Sequence, residues 1–183
     1  MISRLISLIL LIIMIPIFVI ISIGIIFNDG FPVFFLQKRT GFNNQVFWMY
    51  KFRTMRNNTP NIATHLLESK NNHYTTFGKI LRKLSIDELP QLLNILKGNM
   101  CFIGPRPALY NQYDLIDLRT KYGIHKILPG ITGWAQVNGR DELSISEKIK
   151  LDEYYLKNRS ILLNVKILIL TISQIFIPKG VSH

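Results

Sequence analysis

The chain is poor in acid and almost without cysteine. Asp and Glu number 11 against 22 Lys and Arg, a formal net charge of +11. Cys101 is the only cysteine, which excludes an intrachain disulfide, and nothing points to an oxidising compartment. The four histidines, His65, His73, His125 and His183, are scattered without metal-ligand spacing. There is no internal repeat and no low-complexity tract. At 183 residues, one compact domain is the natural expectation. Yet 48% of the residues are hydrophobic, an unusual companion to so much positive charge in a soluble domain. The balance points to an anionic partner: nucleic acid, acidic lipid headgroups or a phosphorylated substrate.

The apolar residues are concentrated at the start. Leu5 to Phe27 contains no charge, and its only polar side chains are Ser7 and Ser22. The run is long enough to cross a bilayer as a helix. It is too long for a removable signal peptide and lacks the small-residue cleavage site. Pro16, near the middle, removes a backbone hydrogen bond and is expected to kink the helix. Arg4 and the N-terminal amine flank one end; Lys38, Arg39, Lys51 and Arg53 follow the other. The positive-inside rule puts both flanks in the cytoplasm, which a simple span does not allow. These features favour a re-entrant helix over a span.

Within the basic remainder lies one acidic pair. Asp87 and Glu88 are the only carboxylates between Glu68 and Asp114, and Lys79, Arg82, Lys83, Lys97 and Arg106 surround them in sequence. The pair fits two readings. Ser85-x-x-Glu88 matches a capping box, or Asp87 is itself the N-cap, for a helix running to about Lys97 and stopped by Gly98. Alternatively the pair is a nucleophile and its helper in a phosphate site. The two are compatible, because a helix N-terminus and nearby cations keep a carboxylate ionised, as a carboxylate nucleophile requires.

Elsewhere, Val46 to Phe52 reads as a strand. Asn57 to Tyr74 reads as a polar loop with one short helix. Phe77 to Leu84 is a basic amphipathic helix with Phe77, Ile80, Leu81 and Leu84 on one side. Gly104-Pro105-Arg106-Pro107 is a rigid extended or turn segment. Leu109 to Arg119 and Ser144 to Tyr155 read as helices, and Pro129 to Trp134 as a turn-rich loop. Leu162 to Ile177 is a final apolar helix, suited to a core or to a membrane interface. The fold class is α+β, mainly helical. It divides into a membrane-embedded re-entrant helix over 1–30 and a catalytic domain with interface helices over 31–183.

Taken together, five stretches resemble the bacterial sugar transferases, the small monotopic phosphoglycosyl transferases. They are Lys51-Phe52-Arg53-Thr54-Met55, Leu84 to Leu92, Leu96-Lys97-Gly98-Asn99-Met100, Ile103-Gly104-Pro105-Arg106-Pro107, and Pro129 to Arg140. They occur in the family's order and cover nearly the whole chain. The resemblance implies an enzyme at the cytoplasmic face of the bacterial inner membrane. Its donor is then a UDP-sugar and its acceptor undecaprenyl (polyprenyl) phosphate, with no nucleic-acid partner. It implies that Asp87 is the nucleophile, forming a phosphosugar-aspartyl intermediate with release of UMP, and that Glu88 assists the acceptor step. It also implies magnesium, held near Asp87, and a membrane helix broken at a proline, here Pro16. The choice between monomer and homodimer stays open. The chain departs from the family at Ile15, where serine is frequent before the proline. It departs again at Asn99 and Asn164, where aspartate is common, and at Ile145, where tryptophan is common. No basic-x-x-acidic start precedes the membrane run; the chain reads as beginning late, with Arg4 alone.

Phosphoryl transfer between anions calls for cations and positioning. Arg106 is the best clamp, with a planar guanidinium on a backbone stiffened by two prolines; the competing reading is a surface Arg in a turn. Arg82 suits either the same cleft or a solvated helix face. Lys51 and Arg53 alternate about Phe52, for phosphate or for anionic headgroups. Gln136, Asn138 and Arg140 alternate in a Gly-rich stretch, suited to reading nucleotide or sugar, or to a plain turn. Trp134 suits base stacking or an interfacial anchor equally. Magnesium fits the chemistry too, since it needs few carboxylates beside phosphate oxygens. Two competing functions remain: a membrane-anchored basic module that binds anionic lipid or nucleic acid, and a hydrolase with water as acceptor.

Overall fold

A computed structural model describes residues 2–57, 59, 73–139 and 142–176. It is a mixed fold in which helix dominates, at 61%. The chain divides into two compact units, Met1–Gln37 with Trp48–Gly98, and Lys38–Phe47 with Asn99–Ser182.

The first unit is built on α1, Ile2–Asp29, which runs as helix through Pro16. It is long and apolar enough to cross a membrane, about 42 Å at 1.5 Å per residue. Large apolar side chains stay exposed along it, among them Ile9, Ile13, Val19 and Phe27. Two stretches of it pack inward. Near its start, the buried Ser7 donates its hydroxyl to the Leu92 carbonyl at 2.6 Å. Near its end, Ile21 and Ile25 join Phe52 and Leu81 in an apolar cluster that Phe77, Ile86 and Leu89 extend. Leu81 and Phe77 belong to α2, Thr76–Lys83, capped by Thr75, whose Oγ1 accepts from the Gly78 amide at 2.9 Å. Of the apolar side predicted for this helix, Phe77 and Leu81 turn inward while Ile80 and Leu84 are exposed.

Two strands, β1 (Phe34–Thr40) and β2 (Val46–Phe52), form a hairpin that runs from the first unit into the second. Its turn places Asn43 and Asn44 at φ 49° and 60°, a left-handed geometry that Asn tolerates better than most residues. β2 matches the sequence expectation end to end.

In the second unit, β3 (Cys101–Ile103) pairs in parallel with β5 (Gly130–Thr132), and β4 (Ala108–Leu109) pairs antiparallel with the end of β1. The turn-rich loop expected over Pro129 to Trp134 is therefore a strand followed by the start of a one-turn helix. Glycine makes this possible by close approach. A Cβ on Gly130 would strike the Gly104 amide, and one on Gly133 would strike the Gly104 carbonyl. Four α-helices lie among the described residues of the unit: α4 (Tyr113–Lys121), α5 (Trp134–Val137), α6 (Ile145–Lys157) and α7 (Ile161–Phe176). The start of α4 corrects the expected helix from Leu109, because Ala108 and Leu109 are spent on strand pairing. α6 carries the capping box that its sequence allows, Ser144 and Glu147 bonding each other's backbone amides. Two apolar clusters form the interior: Ala108, Leu115, Ile124 and Ile149 in one, and Val137, Tyr155 and Ile167 in the other. Tyr155 donates its hydroxyl to the Ile103 carbonyl and to Asn164 Oδ1, at 3.1 and 3.0 Å. On α7, Ile167 is buried while Ile161, Leu162, Val165, Ile169 and Ile172 are exposed.

Candidate active site

The acidic pair sits on a 3-10 turn, Ile86–Gln91, that continues into α3, Leu92–Lys97. The sequence expectation of one helix ended by Gly98 is met in extent but not in type. Pro90 has no N–H to give to the residue 86 carbonyl of an α-helix or to the residue 87 carbonyl of a 3-10 helix, so it interrupts the ladder in either form. Gly98 ends α3 at φ +83°, and the Arg4 guanidinium lies where a side chain at 98 would go. A cation there suits the negative end of the helix.

A 3-10 helix repeats every three residues, so positions i and i+3 share a stripe. Ile86 and Leu89 form one stripe, packed on the α1 cluster. Asp87 and Pro90 form a second, and both are buried. Glu88 and Gln91 form the third. Ser85 stands at φ 55° and its side chain makes no capping bond, so the capping-box reading is not realised. Glu88 is instead drawn to β2: Lys51 Nζ donates to its Oε1 at 2.8 Å, with both side chains under a fifth exposed. Asp87 is only 3% exposed. A carboxylate so shielded interacts with any charge near it far more strongly than in water.

The positions singled out in the sequence sort as follows. Glu88 and Lys51 come together in the first unit, which also carries the buried Asp87. Arg53 does not join them. It is buried, donating to the Asp29 and Gly30 carbonyls at 2.8 and 2.6 Å and to Asn57 Oδ1 at 2.8 Å, so it closes the C-terminal end of α1. Arg82 lies with its guanidinium 5.2 Å from the centre of the Tyr74 ring. Arg106, Gln136 and Asn138 belong to the second unit. Arg106 is half-buried, between two buried prolines. Gln136 is buried and donates to the Ile131 carbonyl at 3.2 Å, and its Oε1 has no hydrogen-bond partner among the described residues. Asn138 is exposed and donates to the Trp134 carbonyl at 2.7 Å. Residues 134–137 are helical, so Gln136 and Asn138 do not alternate on one face as the sequence suggested. Arg140 lies outside the described residues. Trp134 stacks on Tyr154 at 5.7 Å and has Lys166 Nζ 5.3 Å from its ring centre.

Two residues near the acidic pair were not foreseen. Asn94, fully buried, spans the edge of β2, accepting from the Tyr50 amide at 3.0 Å and donating to the Trp48 carbonyl at 2.7 Å. It thereby fixes α3 against the strand that carries Lys51. The available signal was a lone amide inside the apolar run Leu92-Leu93-Asn94-Ile95-Leu96. Gln91 is 1% exposed and its Nε2 has no hydrogen-bond partner among the described residues.

No cluster of three or more His, Cys, Asp or Glu side chains converges among the described residues. A magnesium ion does not require such a cluster, since it takes one or two carboxylates and completes its shell with phosphate oxygens and water.

The family model for bacterial sugar transferases matches residues 1–178. The uncharacterized sugar transferase EpsL of Bacillus subtilis is 43% identical over 154 residues, 84% of this chain and 75% of that protein. A UDP-N-acetylgalactosamine-undecaprenyl-phosphate N-acetylgalactosaminephosphotransferase of Aeromonas hydrophila is 42% identical over 154 residues, 81% of this chain and 36% of that one. A UDP-glucose:undecaprenyl-phosphate glucose-1-phosphate transferase of Xanthomonas campestris is 38% identical over 164 residues, 85% of this chain and 34% of that one. The chain thus spans about a third of the length of these last two.

Proposed function

The chain belongs to the bacterial sugar transferase family, and on that premise we propose that it transfers a sugar-1-phosphate from a UDP-sugar to undecaprenyl phosphate, releasing UMP. The observation that carries this reading is the buried Asp87 beside a Glu88 held by Lys51. An Asp87 oxygen attacks the donor's β-phosphorus. A carboxylate–phosphorus bond forms, the bond from that phosphorus to the bridging oxygen breaks, and UMP leaves with the electron pair. A phosphate oxygen of the acceptor then attacks the same phosphorus, and Asp87 departs as a carboxylate. Where the acceptor phosphate carries a proton, Glu88 takes it. Arg106 holds phosphate oxygens of the donor, for which a planar guanidinium is well shaped. Asp87 would hold magnesium, which when bound supplies neutralisation of the diphosphate charge.

The same reading places the protein on the cytoplasmic face, with α1 entering and leaving the membrane on one side. Its support is internal to the first unit. The Arg4 and Ser7 turns of α1 rest on α3 at Gly98 and Leu92, while Ile21 and Ile25 rest on Phe52 and Leu81. Both ends of the helix therefore contact the unit that carries Asp87. The exposed apolar side of α7 suits an interfacial position.

The test is UMP release by detergent-solubilised protein with magnesium, with and without undecaprenyl phosphate. The donor panel holds UDP-glucose, UDP-N-acetylgalactosamine and other UDP-N-acetylhexosamines. Lipid-dependent release that Asp87→Asn abolishes is expected, with Glu88→Gln retaining some release while transfer to lipid falls. Turnover retained in Asp87→Asn would overturn the covalent route. Free sugar phosphate formed without lipid would favour a hydrolase instead.

A further inference from the structure

Three successive carbonyls of the Gly104–Pro107 segment are held, each by a different donor. Pro105 O accepts from the Gly130 amide at 3.0 Å. Arg106 O accepts from Arg119 Nη1 at 2.7 Å, and Pro107 O from Arg39 Nη1 at 3.1 Å. The middle bond differs from the others in cost. Arg119 is buried on α4, and its Nε and Nη2 both donate to one oxygen of Asp152 on α6, at 3.1 and 2.6 Å. Asp152 is 1% exposed. Burial pushes its carboxyl above the usual carboxylate range, against the pull of Arg119.

Taking two charges out of water costs several kcal/mol per ion, and a well-packed apolar pair is often as stable or more so. Stability is therefore a weak account of this pair. What the charged pair does that an apolar pair would not is fix a guanidinium by two of its nitrogens, leaving the third aimed at the backbone of Arg106. Two prolines already limit that backbone. The carbonyl bond removes much of the remaining freedom at the residue whose side chain meets the donor.

We propose that Arg119 and Asp152 are positioning residues for sugar-nucleotide binding, acting through the main chain of Arg106 to hold its guanidinium where the diphosphate arrives. The inference rests on the reading of Arg106 as a phosphate clamp. Pre-fixing a binding group reduces the ordering cost paid on association. Loss of the bracket should therefore appear mainly in the donor KM.

The decisive variant is Arg119→Met with Asp152→Leu, an apolar pair that keeps the fold while removing the donor to Arg106. We expect a melting temperature at or above that of the wild type, a donor KM raised roughly 3- to 10-fold, and a kcat within about 2-fold. Arg119→Lys, which keeps charge but not the fork, should raise KM similarly. Each change is repeated in an Arg106→Ala background, where it should add less than about 2-fold, since residues acting through one another are not additive. A wild-type KM in the apolar pair, or losses that multiply fully with Arg106→Ala, would overturn the proposal. If Arg106→Ala alone leaves KM unmoved, the clamp and the bracket fall together. The transfer reaction is judged separately by Asp87→Asn.

Discussion

Removing Lys51 should destabilise the fold by an amount set by the burial of its partner. The Lys51–Glu88 contact is 2.8 Å long, with side chains 11% and 18% exposed. At an effective dielectric of about 20, unit charges near 4 Å attract by roughly 4 kcal/mol. Desolvation of both groups offsets most of this. Breaking a fully buried pair by removing one member costs about 3–5 kcal/mol, because the survivor stays buried and uncompensated. Here some solvent reaches each group, so Lys51→Met or Glu88→Gln should cost about 2–3 kcal/mol. For a chain of this size that is a fall of about 4–12 °C in melting temperature. The double change Lys51→Met with Glu88→Gln should cost no more than either single change, giving a coupling of about 2–3 kcal/mol in a double-mutant cycle. The assay is thermal and urea unfolding in detergent, followed by intrinsic fluorescence. Single losses below about 0.5 kcal/mol, or strict additivity, would mean that the contact is no more than a surface pair.

Three further outcomes are expected. Burial raises the Cys101 thiol from 9.0 to about 11, so alkylation of the native protein near pH 7.5 should be about 100-fold slower than that of a free thiol, the thiolate being the reactive form. Because the folded value lies above the unfolded one, the corresponding stability is complete below pH 9 and is lost as pH rises from 9 to about 11, by about 2–3 kcal/mol; a Cys101→Ala variant with the same alkaline unfolding profile would refute this. Asn94→Ala strands the Tyr50 amide and the Trp48 carbonyl, and should cost about 2–4 kcal/mol in urea unfolding; a neutral result would show that water replaces the side chain. Gln91→Met removes a buried side-chain nitrogen that has no hydrogen-bond partner among the described residues and should raise stability by about 1–2 kcal/mol, whereas a loss of that size would reveal a partner for the amide.

What could be seen in the sequence was what local pattern controls. β2 was legible because its seven residues carry the aromatic-rich character of a strand, and α6 because its mixed acidic and basic run is helical in pattern; its Ser144–Glu147 capping box is what the structure adds. The acidic pair stood out by contrast with its basic surroundings. The β3–β5 pairing was not legible: each strand has three residues, and each depends on a partner far along the chain. In sequence Asp87 and Glu88 form one feature, yet the period of three sends their side chains to different surroundings, which only the 3-10 geometry reveals. Arg53 looked like a partner of Lys51 by alternation, but it lies just beyond the strand end, where the α1 carbonyls claim it. Arg119 and Asp152 carry no local signal, since each is an ordinary charged residue on a helix until the two helices meet.

The Ser7 bond to Leu92 has a consequence for the order of events at the ribosome. Its two ends are 85 positions apart. At about 5–20 residues per second, the acceptor is made roughly 4–17 s after the donor. The start of α1 thus acquires this bond late, after Asp87 and Glu88 have been synthesised, whereas its end can already pack on Phe52 and Leu81. Completion of α3 is the moment at which the first turns of α1 and the turn that carries Asp87 become one piece.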